Sequence, residues 1–201
     1  MPHGKAPKRR LKNSSGIPTL HKLLFLLGIA AVCLSFAIRW RNRQVLDFTL
    51  RAPLAISTFK SGAVPVRIDI RRLNISLPVS GTDIVGGRWE IAEGGASHLI
   101  KSASPGDGGN VVIYAHNTRD RFGSLPKAAS GDLVTVSTGD GNRHFYRIIS
   151  SRIVSPDDIS VVLPASTERL TLYTCTGFAD SKRFVVKAEP VSPASINGGL
   201  N

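Results

Sequence analysis

From residue 64 onward, apolar and polar positions change places at short intervals, and the spacing is that of strands. Residues 64–70 (VPVRIDI) alternate with a period of two, which predicts a strand with one face buried. Residues 73–79 form a second candidate that ends near Pro78, because proline cannot donate to a ladder. Residues 110–115 (NVVIYA) are an apolar run bounded by Gly108-Gly109 and His116, which predicts a strand covered on both faces. Residues 132–137, 143–154, 170–175 and 183–188 carry the β-branched and aromatic side chains that strands favour. Residues 155–169 read as an extended loop with one helical turn at 157–162. No long helical period competes in this region, so about eight short strands predict an all-β domain, a closed or nearly closed β-barrel.

The amino-terminal part follows a different pattern. Residues 23–38 (LLFLLGIAAVCLSFAI) run for sixteen positions without a charge, between His21-Lys22 and Arg39-Trp40. With Leu20, snorkelling Lys22 and Arg39, and interfacial Trp40, the segment predicts one transmembrane helix. A cleaved signal peptide is the competing reading, with Ser35-Phe36-Ala37 as a small-x-small site. Both put the rest of the chain outside the cytoplasm. The predicted organisation is a basic cytoplasmic tail at 1–19, an anchor at 20–40, a linker at 41–63, a β-barrel at 64–192 and a carboxy-terminal tail at 193–201.

Charge sharpens this division. The net charge of +12 would suggest a nucleic-acid partner if it were spread over the fold. It is not: residues 1–43 hold nine Lys and Arg and no Asp or Glu, leaving 17 basic against 14 acidic residues beyond. A basic flank around an apolar segment suits anionic lipid, so membrane lipid is the expected partner and nucleic acid is not. Six basic residues precede the apolar run and four follow it closely, which puts the amino terminus in the cytoplasm and the domain outside, on a single-pass membrane protein.

Two cysteines cannot form a disulfide framework when Cys33 lies in the apolar run and Cys175 far from it. Cys175 closes a predicted strand, His116 closes another and Arg183 opens a third. Strand ends hold side chains rigidly at a mouth open to a ligand. A thiol is nucleophilic as thiolate, and a neighbouring His or Arg favours that form. Acyl transfer also needs donors for the oxyanion, each lowering the barrier by about 2.7–4 kcal/mol. By spacing alone, with five His and many Arg in the chain, such triplets also arise by chance.

Residues 171–175 read TLYTC, which resembles the TLxTC motif of sortases, and Arg183 follows eight residues later, as that family's arginine does. The run 110–116 resembles the sortase strand that ends in the catalytic histidine. The similarity extends from about residue 65 to 191, with PVRI at 65–68 resembling the first barrel strand. Ala115, where the family commonly has Gly, and Asn117 depart from the pattern without removing a catalytic group.

The resemblance implies a sortase-like β-barrel and a cysteine transpeptidase. In it Cys175 attacks a carbonyl of an LPxTG-like sorting-signal peptide, His116 serves as acid and base, and Arg183 stabilises the transition state. Thr174 and Ala115 are its expected substrate-binding residues. An amine acceptor, either a cell-wall precursor or a pilin lysine, then resolves the thioacyl enzyme. Pilin-polymerising sortases often carry an amino-terminal Asp-Pro-Trp lid, which residues 44–63 lack. A non-catalytic, membrane-tethered peptide-binding barrel is the reading from another class, and a papain-like order fails because His precedes Cys. No cofactor or metal is expected: Asp157, Asp158 and Glu168 offer carboxylates near the long loop, but loop carboxylates are usually solvated. His98, His144 and Tyr114 read as packing or surface residues.

Overall fold

The computed structural model describes Met1 and residues 19–43, 64–85 and 88–197. It divides into two units, Met1–Arg41 and Asn42–Asn201. The predicted tail at 1–19 and linker at 41–63 lie almost wholly outside the described residues.

The first unit contains a helix, α1 (Thr19–Arg43). Its large apolar side chains, Leu23 through Leu27 among them, are exposed around its circumference. The sequence predicts a membrane-spanning helix here. A helix forms, but among the described residues none is long and apolar enough to cross a membrane. The charge-free run of sixteen residues falls short of the roughly 20 that a bilayer core needs.

The second unit is built on strands β1 (Pro65–Ile70), β2 (Ile75–Thr82), β3 (Ile84–Val85), β4 (Arg88–Trp89), β5 (Ala96–Leu99), β6 (Asn110–Tyr114), β7 (Leu133–Thr138), β8 (Arg143–Val154), β9 (Arg169–Thr176) and β10 (Lys182–Pro190). A short helix, α2 (Ala194–Asn197), follows. Eight strands close a barrel in the order β1-β2-β5-β6-β9-β10-β8-β7, and β7 pairs back onto β1. Two contacts are parallel, β2 with β5 and β6 with β9; the others are antiparallel. The β3–β4 hairpin forms a separate two-stranded sheet.

Alternation along the strands sorts side chains into two apolar layers. Ile68, Val111, Ile113, Leu170, Leu172 and Val186 belong to the layer that fills the barrel. Burying each contributes about 1.5–3 kcal/mol against chain entropy. The intervening residues Val112, Tyr114, Tyr173, Cys175 and Val185 belong to a second layer, with Trp89 from the hairpin and Val161 and Val162 from the β8–β9 connection. This second layer lies on the outer face of β6, β9 and β10, because successive strand residues point to opposite sides.

Three elements depart from the sequence reading. Strand β2 runs through Pro78 to Thr82, since β5 pairs with it only from Val79 and Pro78 sits before that second pairing begins. Strand β5, with sequence ASHL, has too few β-branched residues to announce itself. The predicted turn at 157–162 narrows to one 3-10 turn, Ile159–Val161.

Candidate active site

Parity decides which way the three candidate side chains face. In β9, Leu170 and Leu172 fill the barrel, so Tyr173 and Cys175 face outward. In β6, Val111, Ile113 and the following Ala115 lie in the inner layer, so His116 continues the outward set of Val112 and Tyr114. In β10, Phe184 and Val186 point inward and Val185 outward, which puts Arg183 on the same outer face.

Register then brings them level. The antiparallel β9–β10 ladder sets Arg183 directly opposite Cys175. The parallel β6–β9 ladder pairs Tyr114 with Tyr173 and continues through the bond from Ala115 N to Tyr173 O, 3.3 Å. Two residues on from Tyr114, His116 reaches the level of Cys175. The thiol thus stands on the middle of three neighbouring strand lines, each about 4.8 Å from the next.

Cys175 and Arg183 are each only 4% exposed, whereas His116 is half-buried. Arg183 Nη1 donates to the carbonyls of Asp180, at 3.0 Å, and Lys182, at 3.1 Å. The turn supplying the first carbonyl is strained: Ala179 and Asp180 both lie in the left-handed region, at φ 51° and 60°.

The turn carrying His116 is pinned from the other side. Phe122 N donates to His116 O at 3.1 Å, and Phe122 is itself buried in the barrel core. Gly123 is required there, because a Cβ would meet Thr118 O at 2.5 Å. Burial holds the imidazole below its ordinary proton affinity; the Arg121 guanidinium pushes the same way, and Asp180 and Asp120 oppose it. Burial and Arg121 thus favour the neutral ring. It lines an open cavity of about 440 Å³ with Ile91, Ala92, Glu93, Thr118, Asp120 and Arg121. Arg121 Nη1 reaches Ala92 O at 3.2 Å, and Nη2 donates to Glu93 O, tying the histidine's turn to the segment after the hairpin.

Thr174 and Ala115 do not present side chains to this face. Both are fully buried, Ala115 within the barrel core, and Thr174 Oγ1 donates to Ala115 O at 2.8 Å. They tie β9 to the end of β6. Tyr114 packs as expected, stacked on Tyr173 at 5.1 Å with Trp89 edge-on to both. His98 is buried, with Nε2 3.0 Å from Ala103 O. Asp158 lies 3.7 Å from Arg152, and Glu168 accepts from Gly106 N and Tyr146 Oη. Among the described residues, no three His, Cys, Asp or Glu gather as a metal site.

Sequence reasoning missed Arg121 and Trp89. Arg121, five residues after His116, was the nearer signal; Trp89, in a two-residue strand, had none.

The family model described as Sortase domain matches residues 68–191. Among solved structures, sortase A from Corynebacterium diphtheriae is 26% identical with a TM-score of 0.56; the match covers 69% of this chain and 66%, just under two thirds, of that one. A sortase D5 transpeptidase from Clostridium perfringens is 25% identical with a TM-score of 0.56, covering 67% of this chain and 82% of that one. The pilus-related sortase C of Group B Streptococcus shares the fold at 20% identity, a TM-score of 0.57 and coverage of 82% and 91%. No curated protein sequence matches the chain.

Proposed function

Because the chain belongs to the sortase family, we propose that it is a cysteine transpeptidase that cleaves an LPxTG-like sorting signal of secreted proteins and passes it to an amine for cell-surface anchoring. The observation that carries this reading is the register: Arg183 opposite Cys175 on one side and His116 level with it on the other.

In this mechanism Cys175 Sγ, as thiolate, attacks a backbone carbonyl carbon, and the carbonyl electrons move to oxygen. Arg183, through its guanidinium, donates to that oxyanion. Two main-chain carbonyls accept from its Nη1 and fix the plane of the guanidinium, so little reorganisation is required of the rest of the fork. His116, as imidazolium, gives its proton to the departing nitrogen; the C–N bond breaks and a thioester remains. An incoming amine attacks the thioester carbon, loses its proton to His116, and releases Cys175. The lowered proton affinity of His116 disfavours the imidazolium that the leaving nitrogen requires. Thr174 and Ala115 serve substrate binding indirectly, by tying the end of β6 to β9 so that the mouth keeps its shape.

Helix α1 alone falls short of a bilayer core, but its exposed apolar surface, extended in sequence by Leu20, Lys22, Arg39 and Trp40, is the basis for proposing a single-pass anchor with a cytoplasmic amino terminus and an extracellular barrel. Resistance of the full chain to alkaline carbonate extraction from membranes tests this, and release into the supernatant would refute it.

Mass spectrometry of the chain incubated with LPxTG-like peptides and small amines, beside Cys175→Ala, tests the reaction. A thioacyl adduct and an amine-exchanged peptide, both lost in Cys175→Ala, are expected. A peptide bound but returned intact would favour a non-catalytic binding barrel; transfer only to a protein lysine would favour pilin polymerisation.

A further inference from the structure

The connection between β8 and β9, residues 155–168, starts and ends at opposite ends of the outer face. It leaves β8 at Val154, the register partner of Arg183, and enters β9 at Arg169, the partner of Asn110. Along the way Val161 and Val162 enter the outer apolar layer beside Tyr173 and Cys175. The segment thus forms one long wall over the face that carries the candidate catalytic groups, with the β3–β4 hairpin also over that layer.

Asn110 holds this wall. It is 1% exposed, and its Nδ2 donates to Val161 O at 3.1 Å and Leu163 O at 2.9 Å. Its Oδ1 accepts from Thr171 Oγ1 at 2.7 Å, and Thr171 is fully buried. Both amide hydrogens and the carbonyl are engaged, and a flipped amide would lose all three bonds. Apart from Asn110, few polar groups in β6 can do this: the next four residues are Val, Val, Ile and Tyr. A buried asparagine at the start of an apolar strand is costly to desolvate unless fully bonded, so its presence implies a specific role for those bonds.

We propose that Asn110 is a positioning residue that latches the β8–β9 wall over the catalytic face and thereby sets how tightly the enzyme grips the peptide to either side of the reacting carbonyl. Thr171 fixes the amide's orientation. The latch sits about six residues along β6 from His116, roughly 20 Å away at strand spacing, so it acts on the peptide-binding wall rather than on the reacting atoms. The inference rests on the proposed peptide substrate.

The experiment compares wild type, Asn110→Ala and Thr171→Val of the full chain in two assays. The first is amide hydrogen exchange. Exchange across residues 155–168 is expected to rise at least about fivefold in Asn110→Ala, from losing two hydrogen bonds to the wall, while β6 and β9 keep their protection. The second is amine exchange on the LPxTG-like peptide that wild type turns over best. There KM is expected to rise about fivefold or more, with kcat within about twofold and the preference among peptides altered. Thr171→Val should show both changes in weaker form.

If Asn110→Ala unfolds, Thr171→Val alone decides. Unchanged exchange at 155–168 in a folded variant overturns the latch, as does a fall in kcat with KM unmoved. Absence of turnover by wild type on any peptide would refute the proposed function instead, and hydrogen exchange would still decide whether Asn110 holds the wall.

Discussion

Trp89→Ala should both destabilise the barrel and expose its thiol. Trp89 is 4% exposed and meets Tyr114 and Tyr173 edge-on at ring-centre distances of 5.2 and 5.6 Å. Truncating a buried tryptophan to alanine costs about 3–5 kcal/mol, and the two aromatic contacts add about 0.5–1.5 kcal/mol each beyond area. The hairpin is peripheral and can settle into the gap, so the lower end, about 3 kcal/mol, is expected. At roughly 3 °C per kcal/mol for a domain of this size, the unfolding midpoint falls by about 9 °C. Cys175 shares the same apolar layer and is 4% exposed, so opening that layer should speed its alkylation by a small thiol reagent. Thermal unfolding followed by circular dichroism, and mass-resolved alkylation at Cys175 well below the midpoint, measure the two effects. Trp89→Phe, which keeps an aromatic edge, should recover most of both. A loss under about 1 kcal/mol with unchanged alkylation would refute the idea that the hairpin covers the site.

Further outcomes follow from the same geometry. Arg183→Lys keeps the charge but loses the planar fork, so kcat should drop by about 10²–10³ with the fold intact; near-wild-type turnover would exclude Arg183 as the oxyanion donor. Arg121→Gln removes a cation that disfavours protonation of His116, so the ring should titrate at higher pH by NMR, and an unmoved titration would refute that influence. His98 is buried neutral and its proton affinity is depressed by burial, so the unfolded chain binds the extra proton. Its stabilising contribution is complete above the unfolded value of 6.5 and is lost as pH falls toward the folded one. Urea unfolding between pH 7.5 and 5 should therefore show a shallower decline for His98→Gln than for wild type.

Much of this is legible in the sequence, for physical reasons that differ by element. Strands β6 and β9 are buried on both faces, so NVVIY and LTLYTC appear as apolar runs that a local reading finds. Cys175 and Arg183 lie on adjacent strands joined by a tight turn, so their spacing of eight residues nearly implies the pairing. His116 is different. Its place beside Cys175 depends on a parallel pairing between segments some sixty residues apart, which no local pattern encodes. The hairpin was invisible because two-residue strands have no period, and β5 because it is short and weakly apolar. The main-chain bonds of Arg121 and the three bonds of Asn110 likewise join distant segments. Thr174 and Ala115 sit in sequence beside the candidate catalytic residues, yet period-two alternation turns them inward, a distinction that a motif does not carry.

The barrel closes through β7 onto β1, so its eight strands leave no free edge. If the proposed function holds, the enzyme handles extended, newly secreted chains and meets many segments able to zip onto an unpaired strand. Closure denies them that template, which protects the enzyme from being captured by its own clients. It also means that a client cannot be recognised by adding a strand to the barrel. Selection must come from what lies against the sheet's outer surface, so the identity of the accepted peptide can drift with the walls while the barrel beneath remains unchanged.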